Sequence, residues 1–378
     1  MISILKRINR FIRRWLFVVS RIGSVTRLVT DPKMARSYYP EEPRKSKTRV
    51  WLELMSWLVK HTDVNAFYYA YGFDLKKGVN QDEYIAYNEF KALRNSRNNV
   101  YWIGAHNTGY ICLLKDKYAF YLLLSGLGYP TPKVVGVCIG DRIDWLDTRT
   151  TEAADSIMKR AGLRAFCKTL LGESAEGAFP CHVDKEQILL DGASITFAEL
   201  AKRFEGGFII QELIEQHPRM AELYPTSINT LRITTIRKGD DVILFSAAQR
   251  IGASELTRDN WAAGGLFGAI DERTGRLARE FKYQPGSGGI ITRHPQTGVV
   301  FEGFEIPYFH EAVAMARELH SFLYGIHSIG WDVAITRTGP TFIEGNDNWT
   351  ISAYQAVEGG LKAKFLDALG PAERGVSC

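Results

Sequence analysis

Cysteine is scarce in this 378-residue sequence: Cys112, Cys138, Cys167, Cys181 and Cys378 are odd in number and form no Cys-x-x-Cys pair. That excludes a disulfide framework and a cysteine zinc site, and it fits a reducing compartment. The eight histidines make no His-Glu-x-x-His or His-x3-His arrangement, so no histidine-bound transition metal is expected. Long apolar runs are missing from the N-terminal region. Its longest, 15–19, falls far short of the ~20 residues that span a bilayer. No small-residue cleavage site follows it, so a secretory signal is not expected. Net charge is a modest +5, but residues 1–49 hold 13 Lys/Arg against 3 Asp/Glu, which leaves the remainder mildly acidic. A nucleic-acid-binding core is excluded on that ground. What is present is 46% hydrophobic and 24% charged, an ordinary globular composition. At ~150 residues per domain the length allows two to three folding units.

Residues 1–28 place Leu5, Ile8, Ile12, Trp15, Leu16, Val19 and Ile22 at helical steps, with Lys6, Arg10, Arg13 and Arg14 largely between them. This is an amphipathic helix with a basic polar face. It can lie on an anionic membrane surface or pack on the body of the protein, and the pattern alone leaves both open. Residues 31–48, rich in Pro, charge and Ser, read as a linker. From 50 to 99, Trp51, Leu54, Trp57 and Leu58, then Tyr84, Tyr87, Phe90 and Leu93, recur at helical spacing and are expected in the core.

Five stretches carry candidate chemistry. In Leu113-Leu-Lys-Asp-Lys117 a charged turn opens a helix, which Gly126 and Gly128 end before an apolar strand at 134–137. In Ala165-Phe-Cys-Lys168 a short strand delivers a lysine into the loop 172–177, whose backbone N–H groups can approach phosphate oxygens. No Gly-Lys-Ser/Thr follows, so this is not a Walker A loop, and a hairpin turn would read the same. Alternation turns Cys167 away from Lys168, toward the core. In Gly207-Phe-Ile-Ile-Gln-Glu212-Leu-Ile-Glu215 an apolar strand runs into two acids three residues apart, suited to a base edge and ribose hydroxyls, or to a plain acidic turn. In Ser227-Ile-Asn229-Thr-Leu-Arg232-Ile-Thr, Arg232 stands mid-strand and needs a polyphosphate or a structural carboxylate as partner, since an unpaired buried charge is very costly. Finally, Gly330-Trp-Asp332-Val-Ala-Ile-Thr and Thr341-Phe-Ile-Glu344-Gly-Asn346 read as a β-hairpin with its turn at 337–340. Glu344 and Asn346 share a face, and Asp332 lies on the neighbouring strand. Three hard oxygen donors without nitrogen or sulfur suit Mg²⁺.

In this order the stretches resemble the ATP-grasp superfamily, and more narrowly the sugar-transfer-associated ATP-grasp proteins related to glutamate ligases. Gln211-Glu-Leu-Ile, Ser227-Ile-Asn-Thr-Leu-Arg, Asn260-Trp-Ala-Ala-Gly-Gly265 and the Asp332 to Asn346 hairpin carry the resemblance. It implies an α+β ATP-grasp fold, two α+β subdomains sandwiching ATP, behind a helical N-terminal extension. The expected division is a basic amphipathic helix (1–30), a helical region (31–110), an N-terminal subdomain with the phosphate loop (111–206), a C-terminal subdomain with the metal site (207–365) and a tail (366–378). The resemblance assigns Lys117, Lys168, Gly172, Ser174 and Gly177 to ATP phosphates, Glu212, Leu213 and Ile214 to adenine, and Glu215 to ribose. It gives Arg232, with Lys168, to the transferring phosphoryl group, and Asp332, Glu344 and Asn346 to one or two Mg²⁺ ions.

The implied activity is an ATP-dependent carboxylate–amine ligase that forms an acyl phosphate and releases ADP and phosphate. Its substrates would be a glycan or a sugar or amino-acid precursor bearing a carboxylate, and an amine acceptor, in surface polysaccharide biosynthesis. No nucleic-acid partner is expected. A phosphotransferase on the same fold, or a non-catalytic membrane-associated nucleotide-binding module, are the alternatives. The implied location is cytoplasmic, with residues 1–28 offering peripheral contact with an anionic inner-membrane surface. Residues 260–268 are expected in the wall of the active site or in a tight turn. Two features depart from the family pattern: the phosphate loop has few glycines, and residues 1–110 read as helical.

Overall fold

A computed structural model describes residues 2–98, 109–171, 178–184, 187–190, 193–204, 206–253, 259, 261 and 264–370. The chain begins with helices α1 (Ile2–Thr30), α2 (Lys47–His61) and α3 (Tyr87–Asn98), then α4 (Cys112–Lys115) and α5 (Lys117–Leu127). Local signals set several of their ends. Ser46 caps α2 by accepting from the Arg49 N–H. Asp116 caps α5 by accepting from the Tyr118 and Ala119 N–H groups, so Lys117 becomes the first helical residue. Gly128, at φ 77°, closes α5 in the left-handed conformation that glycine adopts without strain, whereas Gly126 lies inside the helix.

Two antiparallel sheets follow. The first is built from β1 (Val134–Ile139), β2 (Arg142–Trp145), β3 (Thr150–Ala153), β4 (Arg164–Thr169), β5 (Ala178–Asp184), β6 (Gln187–Leu190), β7 (Ala193–Ile195) and β8 (Phe208–Glu212). Its strand order is β3-β2-β1-β8-β4-β5-β6-β7. Helix α6 (Phe197–Arg203) joins β7 to β8, opened by a Thr196/Glu199 capping box. Strand β8 pairs with β1 and β4, so the change of sheet falls after Glu212 and not at the expected 206/207 boundary. An apolar strand cannot announce which of two sheets will take it.

After α7 (Pro218–Leu223), the second sheet contains β9 (Leu231–Lys238), β10 (Asp241–Ile251), β11 (Leu266–Asp271), β12 (Arg276–Lys282) and β13 (Ile290–Ile291). Helix α8 (Phe309–Phe322) then precedes β14 (Ser328–Thr336) and β15 (Gly339–Asn346). The strand order is β13-β12-β11-β10-β9-β14-β15. On one face Leu231, Ile233, Trp331, Val333 and Phe342 form a core with Ala312, Ala316 and Leu319 of α8. On the other, Phe245 and Phe267 pack with Phe90, Trp349 and Tyr354, and with Phe365. The last three come from the segment carrying α9 (Ile351–Glu358) and α10 (Lys362–Leu369). Helix α10 buries Ala368 and Leu369, so the expected tail at 366 begins inside a packed helix. Pro340, expected in the hairpin turn, sits in β15 opposite Ile335; β15 is an edge strand, where a residue without an N–H is tolerated.

The N-terminal helical region is fastened to the second sheet by buried polar groups. Lys282 is almost wholly buried and donates to the Ala70 carbonyl and the Tyr39 hydroxyl, each at 3.0 Å, and to the Ala356 carbonyl. Asn98 accepts from the His327 and Ser328 N–H groups through one side-chain oxygen, at 3.1 and 3.0 Å. These bonds hold α3 and residues 39–71 beside the strands that carry the site.

Candidate functional site

The register of three adjacent strands assembles the centre. Residues directly opposite in an antiparallel pair share a face, as do residues two apart on one strand. Ala248 of β10 stands opposite Arg232 of β9, Arg232 opposite Asp332 of β14, and Asp332 opposite Glu344 of β15. Arg250, two residues beyond Ala248, and Asn346, two beyond Glu344, therefore join the same face. All five functional side chains line one cavity of about 1670 Å³.

Asp332 is the hub. Its Oδ1 lies 2.6 Å from Arg232 Nε, and its Oδ2 accepts from Arg232 Nη2 and Arg250 Nη1 at 3.0 Å each. Arg250 also approaches Asp259 at 3.4 Å. Asp259 in turn accepts from the Thr230 N–H at 2.8 Å and from its hydroxyl. Burial by itself would weaken the Arg250 charge, but Asp259 and Asp332 hold its pKa above the ordinary value. The partner the sequence demanded for Arg232 is thus a carboxylate, and it is one of the expected metal ligands.

The first sheet contributes Lys168, from β4, to the same cavity. Its side chain is about nine-tenths buried. Burial lowers the ammonium pKa to about 8; Glu344 pulls it back up and Lys117 pushes it further down. Lys117, at the start of α5, lies 3.8 Å from Glu344. Cys167 faces the core, as alternation required. A polyphosphate placed against Lys168 would restore its charge, so binding should take up a proton above pH 8, and affinity should fall as pH rises past 8. Titration calorimetry of ATP at pH 8.5, in two buffers of different ionisation enthalpy, measures that uptake. It should vanish in Lys168→Met, whose affinity should also drop by on the order of tenfold or more for the lost charge-assisted bond.

Glu212, Leu213, Ile214 and Glu215, beyond β8, line the same cavity. Glu212 pairs with Lys133 at 3.4 Å and Glu215 with Arg337 at 3.2 Å, all four exposed. Gly172, Ser174 and Gly177 lie outside the described residues. Every expected site residue that is described reaches the one cavity.

Among the described residues no group of three or more His, Cys, Asp and Glu side chains is placed to hold a metal. The expected set is two carboxylates and an amide, and it fits a hard cation on its own terms. Its donors are all oxygen and sit on paired strands, and among the described residues the buried Asn346 amide nitrogen has no hydrogen-bond partner.

Other cavity residues escaped the sequence reading. Arg250 carries the same signal in the sequence as Arg232, an arginine in an apolar strand. The N-terminal region supplies a whole wall: Trp57, Asp63, Asn65, Phe67, Tyr71 and Tyr87 line the cavity. Trp57 and Tyr87 were expected simply as core; helical spacing reads the same whether an aromatic ring meets a neighbour or a cavity. Phe67 lies 5.8 Å from Trp261, which donates its indole N–H to the Lys282 carbonyl at 2.8 Å. Of the stretch 260–268, Trp261 and Phe267 line the cavity and the Gly264 N–H donates to the Trp261 carbonyl, while 260, 262 and 263 lie outside the described residues. Asn65 is buried, and among the described residues its amide nitrogen also has no hydrogen-bond partner.

A family model described as sugar-transfer associated ATP-grasp matches residues 96–368. No curated protein matches the sequence. Among solved structures, the chain is similar to the D-alanine–D-alanine ligase of Bacillus anthracis at 14% identity and TM-score 0.37, covering 68% of this chain and 66% of that one. The D-alanine–D-alanine ligase of Helicobacter pylori gives 12%, 0.38, 68% and 58%. The biotin carboxylase domain of Hydrogenobacter thermophilus 2-oxoglutarate carboxylase gives 14%, 0.34, 62% and 40%. The chain thus spans less than two thirds of each.

Proposed function

Because the chain belongs to the sugar-transfer associated ATP-grasp family, we propose that it is an ATP- and Mg²⁺-dependent ligase joining a carboxylate to an amine. The observation that carries this reading is one cavity in which Lys117, Lys168, Arg232 and Arg250 face Asp332, Glu344 and Asn346. Cations and hard oxygen donors converging in this way are what phosphoryl transfer to a carboxylate needs, since its catalysis is mainly positioning and charge neutralisation. In this reading Lys117 and Lys168 hold ATP phosphates, and Glu212, Leu213, Ile214 and Glu215 take the adenine and ribose. Arg232 and Arg250 neutralise charge on the transferring phosphoryl group and on the acyl phosphate that an amine then attacks. Asp332, Glu344 and Asn346 would hold Mg²⁺, which supplies neutralisation of polyphosphate charge when bound. The cavity exceeds the ~300–1,000 Å³ of a single small-molecule site, so it has room for a second substrate beside a nucleotide. The aromatic wall formed by Phe67 and Trp261, with Asn65, is the place we assign to that substrate. The family description, sugar-transfer associated, is consistent with a glycan or sugar precursor as that substrate, and its use in surface polysaccharide biosynthesis is part of this proposal.

The test is ADP and phosphate release from Mg-ATP, with pooled carboxylates (amino acids, uronic acids) and pooled amines. Release should require one member of each pool and fall by on the order of 10²–10³-fold in Glu344→Gln. Release with a single acceptor would replace the ligase reading with a phosphotransferase. An undiminished Glu344→Gln enzyme would remove the metal assignment.

A further inference from the structure

Helix α1 is apolar around much of its circumference, and among the described residues the protein covers only part of it. Val18, Val25, Leu28 and Val29 are buried with Leu54, Trp57 and Leu58 of α2. From beside the buried residues round to the far side of the helix, at ~100° per residue, a second set of apolar residues faces solvent. Phe11 is 61% exposed, Trp15 48%, Leu16 65% and Val19 58%, with Ile12 and Ile22 alongside. Basic residues flank the strip. Arg13 and Arg14 line a cleft of about 490 Å³ with Phe17, Lys60, Thr62 and Asn88. Arg14 is fixed there by donating to the Val59 and Lys60 carbonyls, and Lys60 pairs with Asp82 at 2.8 Å. No helix among the described residues is long and apolar enough to cross a membrane.

A contiguous exposed apolar strip on a folded protein marks an interaction surface. Charge selects the occupant. Helix α1 carries seven basic residues and no acidic one, so a second copy of this helix would set like charge against like. An anionic lipid surface complements it, with large apolar side chains at the headgroup–acyl boundary and arginines at the phosphates. We propose that the outer face of α1 docks the protein on an anionic bilayer, through Phe11, Trp15, Leu16 and Val19 and the neighbouring Arg13. This surface is separate from the cavity, so the proposal stands independently of the catalytic reading.

The test is flotation of the full chain with phosphatidylcholine vesicles, with and without phosphatidylglycerol, at low and high salt. Binding should appear on the phosphatidylglycerol vesicles at low salt and fall with added salt. Arg13→Ala should weaken it roughly fivefold, and Trp15→Glu with Leu16→Glu by at least tenfold. Val19→Asp acts on the same strip as an independent variant. The altered residues are solvent-facing, so all variants should keep the wild-type melting temperature, which verifies folding. The proposal is overturned if phosphatidylglycerol vesicles do not retain the protein, if pure phosphatidylcholine retains it equally, or if the strip variants bind like wild type. It is also overturned if the strip variants convert an oligomer to a monomer by light scattering without changing vesicle binding, since a second copy would then occupy the face.

Discussion

Asp332→Asn is expected to lower ATP-dependent turnover by on the order of 10²–10³-fold, while ATP binding in the presence of a chelator is retained or strengthened. The split follows from the position of Asp332. Its carboxylate stands against both Arg232 and Arg250 in a cavity that also holds Lys117 and Lys168. Removing its charge leaves more uncompensated positive charge facing a polyphosphate, which favours ATP alone. The same change removes one of the three oxygen donors proposed for Mg²⁺. A purely structural role would lower turnover only through loss of folded protein and would not separate the two readouts. Stability should fall as well: taking away one partner of a buried ion pair costs about 3–5 kcal/mol because the other charge is left behind. Thermal melts with ATP, in Mg²⁺ and in EDTA, check the binding side. A double-mutant cycle with Arg250→Met measures the coupling, and the Asp332→Asn penalty should shrink in that background.

Trp331→Ala should produce the largest loss of stability from a single apolar site, about 3–5 kcal/mol, read as a lowered urea midpoint with an unchanged slope. The side chain is fully buried. Its indole N–H donates to Thr235 Oγ1 at 2.8 Å, and its ring centroid lies 5.4 Å from that of Phe342. Thr235 Oγ1 is itself 2.7 Å from His320 Nδ1, so the loss reaches from the strand into α8. Burial lowers the His320 pKa to about 3, so this network holds a neutral imidazole throughout the physiological range. Trp331→Phe keeps most of the ring volume and should cost less than half as much. A truncation no worse than that conservative change would mean that the core between β14 and α8 collapses around the gap.

Trp331 and Asp332 are consecutive and show how much of the site was legible in the chain. Strand period two sends one to the core and the other to the opposite face, and that much follows from the Gly-Trp-Asp-Val-Ala-Ile pattern alone. So did the placing of Asp332 on the strand beside Glu344, the opening of a helix at the charged turn that holds Lys117, and the burial of Cys167 behind Lys168. Each depends on neighbours within a strand, a turn or a hairpin. Family motifs supplied the rest of the expected site, and the residues they named that are described reach one cavity.

What the chain alone did not reveal was long-range register. Arg250 enters the site because β10 pairs with β9 at a register that sets Ala248 opposite Arg232, and sequence patterning has no term for the choice of partner strand. β8 joined the first sheet for the same reason. The aromatic rings at 57–87 were legible as apolar and helical in spacing, but not as a cavity wall. Whether such a ring meets a neighbour or an open space depends on where Lys282 and Asn98 fasten the N-terminal region to the second sheet. In α1, composition and period determined an amphipathic basic helix; only packing against α2 decided which apolar residues are covered and which face solvent. Local periodicity is a property of the chain, whereas burial is a relation between segments far apart in it, and the tertiary structure alone sets that relation.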